Sequence, residues 1–531
     1  MKLAIIVDSD RTMMRWQFDA LQAAISDGHE INLLAVAKGA GYKSPKKLKY
    51  SFYYLFAILS RYKLSQLNRV AISELGVQVD QQVDFVKEVN GIWEEIPSST
   101  LSQFSDSDVV IKFGMGLLRN PELIPVKHGV LSYHHGNPSA YRGRPAGFWE
   151  SLNSEKTMGV IVQSLSNTLD AGTIKSIGYS RVNQTSYRKT LSEVYSAGIP
   201  LLRKAVNSLN SKASIDLGIS EKTTTLPTNT KVISLVLKQL KNRVARYAYG
   251  AFYEKKWRVG SLHEFENLEI SLTIKADKIT LLPVPPGYMM TADPCGEFLD
   301  GIYCELLNNK SGLGEIGIWK DRKWNYLDIG LTGHASYPQI IQWNGSGYLF
   351  PEVSAGSSPV LVELGLNGLP NGKKSILKNL ENIRAIDGTL FESKGFWYLF
   401  AGNPADSYQR LDLYYSNSLQ SDFQLHPMSP VVLDPRCSRM AGPIFEKDGF
   451  IYRFGQDCSE KYGGGITILR ILEITPDRYK EEKVGSFNLE GALGPHSLLM
   501  GSNAIWLDLY TEKFALAAGI RRVKAKFFQK F

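Results

Sequence analysis

The residues with the clearest capacity for chemistry lie between positions 131 and 172. His134 ends one apolar run, Tyr141, Arg142 and Gly143 follow shortly after it, and Asp170 comes after a second apolar run, MGVIVQSL. A protonated imidazole holds a developing oxyanion, and a carboxylate beside it favours the protonated ring and accepts a proton. A histidine and an aspartate so paired suit the addition of a nucleophile to a carbonyl. Ser132, two residues before His134, offers a hydroxyl donor. His135 is the next residue of the same strand, so its ring points to the opposite face.

The elements that must position these residues alternate strand and helix over the first two hundred positions. LAIIVDS, INLLAVA, DVVIKF, GVLSYHH and MGVIVQSL read as strands, and Arg15 to Ile25 has helical periodicity. This pattern predicts a doubly wound, Rossmann-like α/β sheet over residues 1–207, with ligands bound beyond the carboxyl ends of its strands. No GxGxxG follows the first strand, which argues against a nicotinamide cofactor. Phe113, Gly114 and Met115 fall just after one predicted strand and His134 after another.

The ordered set resembles the formyltransferase family, which moves a formyl group from 10-formyltetrahydrofolate to an amine. The family pattern runs Asn-x-His, Pro-Ser-Leu-Leu-Pro, Tyr-Arg-Gly, Thr-Gly-Val and Leu-Asp-x-Gly. His134, Tyr141–Gly143, Gly159, Val160 and Asp170 match it in order, while Ser132 stands at the family's Asn. The resemblance implies 10-formyltetrahydrofolate as co-substrate, His134 as oxyanion stabiliser, Asp170 as its partner and proton acceptor, and Ser132 as a weaker donor. It also implies that Phe113, Gly114, Met115 and Leu117 line the folate pocket with main-chain groups, with Arg142 and Gly143 beside it.

Residues 208–230 are rich in Ser, Thr and Lys and read as a linker, and 231–265 as a basic connector helix region. The chain then changes character. QIIQWNGSGYLFPE (339–352), TLFESKGFWYLFAG (389–402) and PIFEKDGFIYRFGQ (443–456) are three copies of a strand, a Gly turn and an aromatic strand. With weaker copies near 301 and 503 the period is about fifty residues, enough for one four-stranded blade each. A five-bladed, all-β propeller is expected over 266–512, followed by a basic tail at 513–531.

The same phase in each repeat gives Asp293, Tyr337, Asp387, Ala441 and His496 as channel residues. Two carboxylates in phase resemble the arabinanase- and furanosidase-type glycoside hydrolases, whose Glu-Gly-Pro motif is Ala441-Gly442-Pro443 here. Hydrolysis needs both a general acid and a base or nucleophile, so glycosidase activity is not expected. ADP at 292–294, SYPQ at 336–339 and FGQDCSEKYGG at 454–464 resemble the propeller of plant glucosamine inositolphosphorylceramide transferases. That likeness adds Gln456, Asp457, Tyr462 and the run Gly463–Gly465 to the sugar-channel candidates.

These readings converge on transfer of a formyl group to an amino sugar, nucleotide- or lipid-linked, in surface glycan biosynthesis, with carbohydrate held at the propeller. The alternatives are a carbohydrate-binding or glycosyl-transferring propeller with a degenerate N-terminal domain, and formylation of methionyl-tRNA. The net charge of +9 is modest for 531 residues, and no nucleic-acid partner is expected. Four cysteines without metal-ligand spacing predict no metal site, and the start of the chain shows no signal-peptide pattern. The expected compartment is the cytoplasm, with the basic tail offering a peripheral contact to the inner membrane face.

Overall fold

A computed structural model describes residues 1–41, 47–168, 172–210, 215–218, 223–263, 271–354 and 358–521. The chain divides into two compact units, Met1–Arg243 and Val244–Phe531.

The first unit is built on a seven-stranded sheet. Its strands are β1 (Lys2–Asp8), β2 (Glu30–Lys38), β3 (Gln81–Val86), β4 (Val109–Lys112), β5 (Val130–His134), β6 (Thr157–Ser164) and β7 (Thr173–Arg181). Their order across the sheet is β7-β6-β5-β4-β1-β2-β3. The first five are parallel, and β6 and β7 add antiparallel strands at one edge. Runs such as AIIV and NLLAVA are buried along their whole length, as a sheet covered on both faces requires. The strand order reverses between β1 and β4, so the end of β4 lies at a topological switch point. Helices α1 (Arg15–Ile25), α2 (Ser51–Arg61), α3 (Phe148–Asn153) and α4 (Tyr187–Ser208) belong to this unit.

Helix α5 (Asn229–Phe252) carries the chain across the boundary between the units. The expected connector region 231–265 is therefore only partly helical. Residues of β8 (Tyr253–Leu262) instead pair along their whole length with β14 (Ile505–Phe514), more than two hundred residues away. In the expected linker, Thr223–Thr224 pairs with Arg142–Gly143.

Among the described residues of the second unit there are five sheets, and each begins with an inner strand: β9 (Tyr288–Phe298), β10 (Ala335–Trp343), β11 (Ile386–Ser393), β12 (Arg439–Met440) and β13 (Leu498–Met500). Successive inner strands are joined by Gln339 donating to the Leu390 carbonyl and Leu498 N–H donating to the Ala441 carbonyl. The fifth sheet is composite, because β8 from the start of the unit completes the blade of β13 and β14. The glycine turns read from the sequence are two-residue hairpin turns: Asn344-Gly345, Lys394-Gly395 and Asp448-Gly449 all have positive φ at both positions. That geometry matches the right-handed twist of the flanking strands.

Candidate functional site

At the switch point the loop after β4 folds back onto the end of β1. Phe113 and Gly114 N–H groups both donate to the Ile6 carbonyl, at 3.0 and 2.8 Å. A Cβ on Gly114 would lie 2.4 Å from the Val7 carbonyl carbon, so only glycine allows this approach. Met115, at φ 64°, donates its N–H to Asp8 Oδ1 at 3.1 Å, and Gly116 N–H donates to Glu94 Oε2 at 2.6 Å. Glu94 is itself buried against Lys87 Nζ at 2.9 Å. Burial lowers the Lys112 ammonium to about 8, against the pull of Glu94 and Asp8. The main-chain donors of residues 113–116 thus already have protein acceptors.

His134 closes β5, opposite Ile161 of β6, and is buried. A Cβ on Gly136 would stand 2.8 Å from His134 Nε2, so the glycine makes room for the ring. Strand alternation puts Ser132 on the same face of β5, in register with Gln163. Tyr133 and His135 face the other way and stack on each other, ring centroids 6.1 Å apart. Trp16 of α1 and Tyr195 of α4 enclose His135 at 5.0 Å each. Burial, reinforced by His134, lowers the His135 imidazole to about 3, so this ring stays neutral and serves packing.

Asp170 lies outside the described residues. Arg142 and Gly143 form a short strand with Thr223 and Thr224, and Thr224 Oγ1 donates to the Arg142 carbonyl at 2.6 Å. Gly143 sits at φ 97°, and a Cβ there would meet the Thr224 carbonyl oxygen at 2.3 Å. Tyr141 donates its hydroxyl to Glu155 Oε1 at 3.0 Å and accepts from Asn153 Nδ2. These contacts fix the loop that follows His134. Leu117 is the more exposed end of the 113–118 loop, while Leu118 enters the core.

Glu150 escaped sequence reasoning. It lies on α3 between Phe148 and Ser151 and is only 3% exposed. Burial raises its carboxyl to about 7, partly offset by attraction to His134. The signal in the sequence was a lone acid inside the apolar GFWESL run.

In the second unit, Asp293, Tyr337 and Asp387 share a feature beyond repeat phase. All three have left-handed φ (48°, 50° and 46°) at a register break in their inner strands. Such backbone persists only where surrounding structure enforces it. His496 Nε2 lies 3.1 Å from Asp293 Oδ1, and Nδ1 lies 2.7 Å from Asp508 Oδ2, off the line of a good hydrogen bond. Burial disfavours the imidazolium, but these two carboxylates outweigh it and hold the ring charged well above its ordinary range. Oxygen and nitrogen atoms of the three residues lie within 4.8 Å of one another. A cation held there would have to displace the proton from the imidazole nitrogen it bound.

Asp387 is bound by Arg439, with Nε 2.5 Å from Oδ2 and Nη2 3.1 Å from Oδ1, and accepts from Gln456 Nε2 at 3.1 Å. Burial pushes its carboxyl up to about 7 against the pull of Arg439. Tyr337 donates its N–H to Asp293 Oδ2 at 3.3 Å, and its hydroxyl accepts from Gly442 N–H at 2.7 Å. Asp293, Tyr337, Asp387, Gln456 and His496 are thus linked to a common polar centre. Asp457 is not: its carboxylate closes a local turn onto Ser459 N–H at 2.9 Å. The residue at the acid position is Ala441, fully buried, which leaves no general acid there.

The family described as "Glucosamine inositolphosphorylceramide transferase 1, N-terminal" matches residues 302–504. The glucosamine inositolphosphorylceramide transferase 1 of Arabidopsis thaliana is 30% identical over 197 residues, 34% of this chain. The chain spans 24% of that relative's length. Among solved structures, a phosphoribosylglycinamide formyltransferase from Anaplasma phagocytophilum is 14% identical, with 42% of this chain and 97% of that one covered at a TM-score of 0.28. RS223-Beta-xylosidase is 12% identical, with 44% and 85% covered at a TM-score of 0.33.

Proposed function

We propose that the first unit transfers a formyl group from 10-formyltetrahydrofolate to the amine of an amino sugar, and that the propeller holds carbohydrate. The observation that carries the reading is the placement of His134. It ends a strand beside the switch point, on one face with Ser132 and under the electrostatic influence of a buried Glu150. Attack of an amine on a formyl carbon puts negative charge on the carbonyl oxygen and leaves an acidic proton on nitrogen. His134 holds the first charge, assisted by the Ser132 hydroxyl. Glu150, its carboxyl raised to about 7, takes up the amine proton. Collapse of the adduct breaks the bond from the formyl carbon to the folate nitrogen, which is protonated and leaves as tetrahydrofolate.

The folate, when bound, supplies the activated formyl group. The loop after β4 would meet it through Phe113, Met115 and Leu117, because its N–H groups at 113–116 are already engaged. The test is calorimetric binding of 5-formyltetrahydrofolate to the full chain, followed by spectrophotometric release of tetrahydrofolate with a panel of amino sugars. Binding with acceptor-dependent release supports the reading, and neither binding nor release overturns it.

A second reading has its own support: the family match at residues 302–504 falls within the propeller unit. On that reading the propeller binds or transfers glycan, and the first unit is inactive. Hydrolysis is disfavoured on either reading, since Ala441 replaces the acid and Arg439 holds Asp387.

A further inference from the structure

A cavity of about 760 Å³ lies in the second unit, where β8 and β9 begin and β14 ends. Its size suits a sugar carrying an acidic substituent. Among the described residues, four cations, Lys255, Lys256, Lys513 and Arg521, share its lining with one carboxylate, Glu254. Glu254 pairs with Arg521 at 2.5 Å and with Lys256 at 3.4 Å. A single carboxylate cannot neutralise four cations, so the cavity carries a positive potential that favours an anion.

Trp257 of the lining is a buried ring that packs toward the polar centre. That ring lies 4.3 Å from His496, 4.4 Å from Tyr510 and 6.5 Å from Tyr462. Lys255 Nζ stands 4.2 Å and Lys461 Nζ 5.9 Å from the Tyr510 ring centroid. Arg439 lies 5.0 Å from the Tyr462 ring centroid and 5.9 Å from that of Tyr408. Aromatic faces and cations therefore run from the cavity to the Asp293 and Asp387 carboxylates. This combination suits a pyranose carrying a negative group.

We propose that this cavity binds the anionic group of an acidic sugar, a phosphate or a carboxylate, whose ring rests against Trp257, the aromatic residue of the lining. The inference rests on the carbohydrate role proposed for the propeller and specifies its ligand class. It does not depend on formyl transfer in the first unit.

The test uses the full chain and isothermal titration with glucosamine 1-phosphate, a uronic acid disaccharide and glucosamine, at low and moderate salt. Binding is expected for at least one of the two acidic probes, weakening with salt, with glucosamine at least tenfold weaker. The phosphate and uronate arms identify which anion the site takes. Exposed Lys513 and half-buried Lys256 are suitable positions to change, and Lys513→Ala with Lys256→Ala is expected to weaken acidic-sugar binding roughly tenfold or more. Lys373→Ala, distant in sequence and exposed, serves as the control with unchanged binding. Equal binding of glucosamine, no binding of either acidic probe, or full affinity in the double variant would overturn the proposal. His134→Ala separates the two readings when tetrahydrofolate release is assayed beside this titration: release should slow sharply while acidic-sugar binding stays intact.

Discussion

Replacing His496 by alanine tests the electrostatic centre of the second unit. The imidazolium stands between two buried carboxylates, Asp293 at 3.1 Å and Asp508 at 2.7 Å. Removing one member of a buried ionic group costs about 3–5 kcal/mol, because the remaining charge is left uncompensated. Asp508 retains three main-chain donors after the substitution: Asp293 at 3.0 Å, His496 at 2.9 Å and Ser497 at 3.1 Å. Asp293 retains the Ser497 hydroxyl and the Tyr337 N–H. Those donors place the expected loss near the lower end, about 3 kcal/mol. At about 2–4 °C per kcal/mol this is a fall in Tm of roughly 6–12 °C. The His496 pKa is raised in the folded state, so its stabilisation is complete below the unfolded value near 6.5 and is lost as pH rises through the folded value. Denaturant titration at a series of pH values, followed by Trp fluorescence, reads both effects. Trp257 is a local reporter, 4.3 Å from the histidine ring. A loss under about 1 kcal/mol, or the same alkaline pH dependence in wild type and variant, would refute this electrostatic account.

Three further outcomes follow from the same geometry. Glu150→Gln should lower formyl transfer and flatten a rate profile that otherwise rises through a carboxyl pKa of about 7, as measured by initial rates from pH 5.5 to 8.5. Gly136→Ala puts a methyl 2.8 Å from His134 Nε2, and steady-state kinetics should show turnover reduced by roughly 10²-fold with unchanged circular dichroism. Arg439→Ala leaves Asp387 buried without its cation, so that carboxyl should rise further and the protein should lose about 3 kcal/mol in urea titration at neutral pH.

Local patterns carried much of this structure. Asn344-Gly345, Lys394-Gly395 and Asp448-Gly449 mark hairpins because each pair accepts positive φ, and the spacing of the hairpins exposes the repeat. The alternation of β5 separates Ser132 and His134 from Tyr133 and His135 without any tertiary information. What escaped depends on distant partners. β8 lacks a hairpin signature and follows a helix, while its partner β14 is more than two hundred residues away. The role of His496 needs Asp293 from β9 and Asp508 from β14. Asp387 looks like a catalytic carboxylate in sequence, and only the folded chain brings Arg439 onto it. Glu150 was hidden because a short run cannot show which side of α3 is buried. Asp457 matched a motif, yet its carboxylate serves its own turn.

The most direct test of the central claim is product analysis after incubating the full chain with 10-formyltetrahydrofolate and amino-sugar acceptors. Mass spectrometry should detect an N-formyl sugar in equal amount to the tetrahydrofolate released. His134→Ala should form it two to four orders of magnitude more slowly, the roughly expected loss for removing a positioned electrostatic and proton-transfer group. Absence of any formylated acceptor, or an undiminished rate in His134→Ala, would contradict the account.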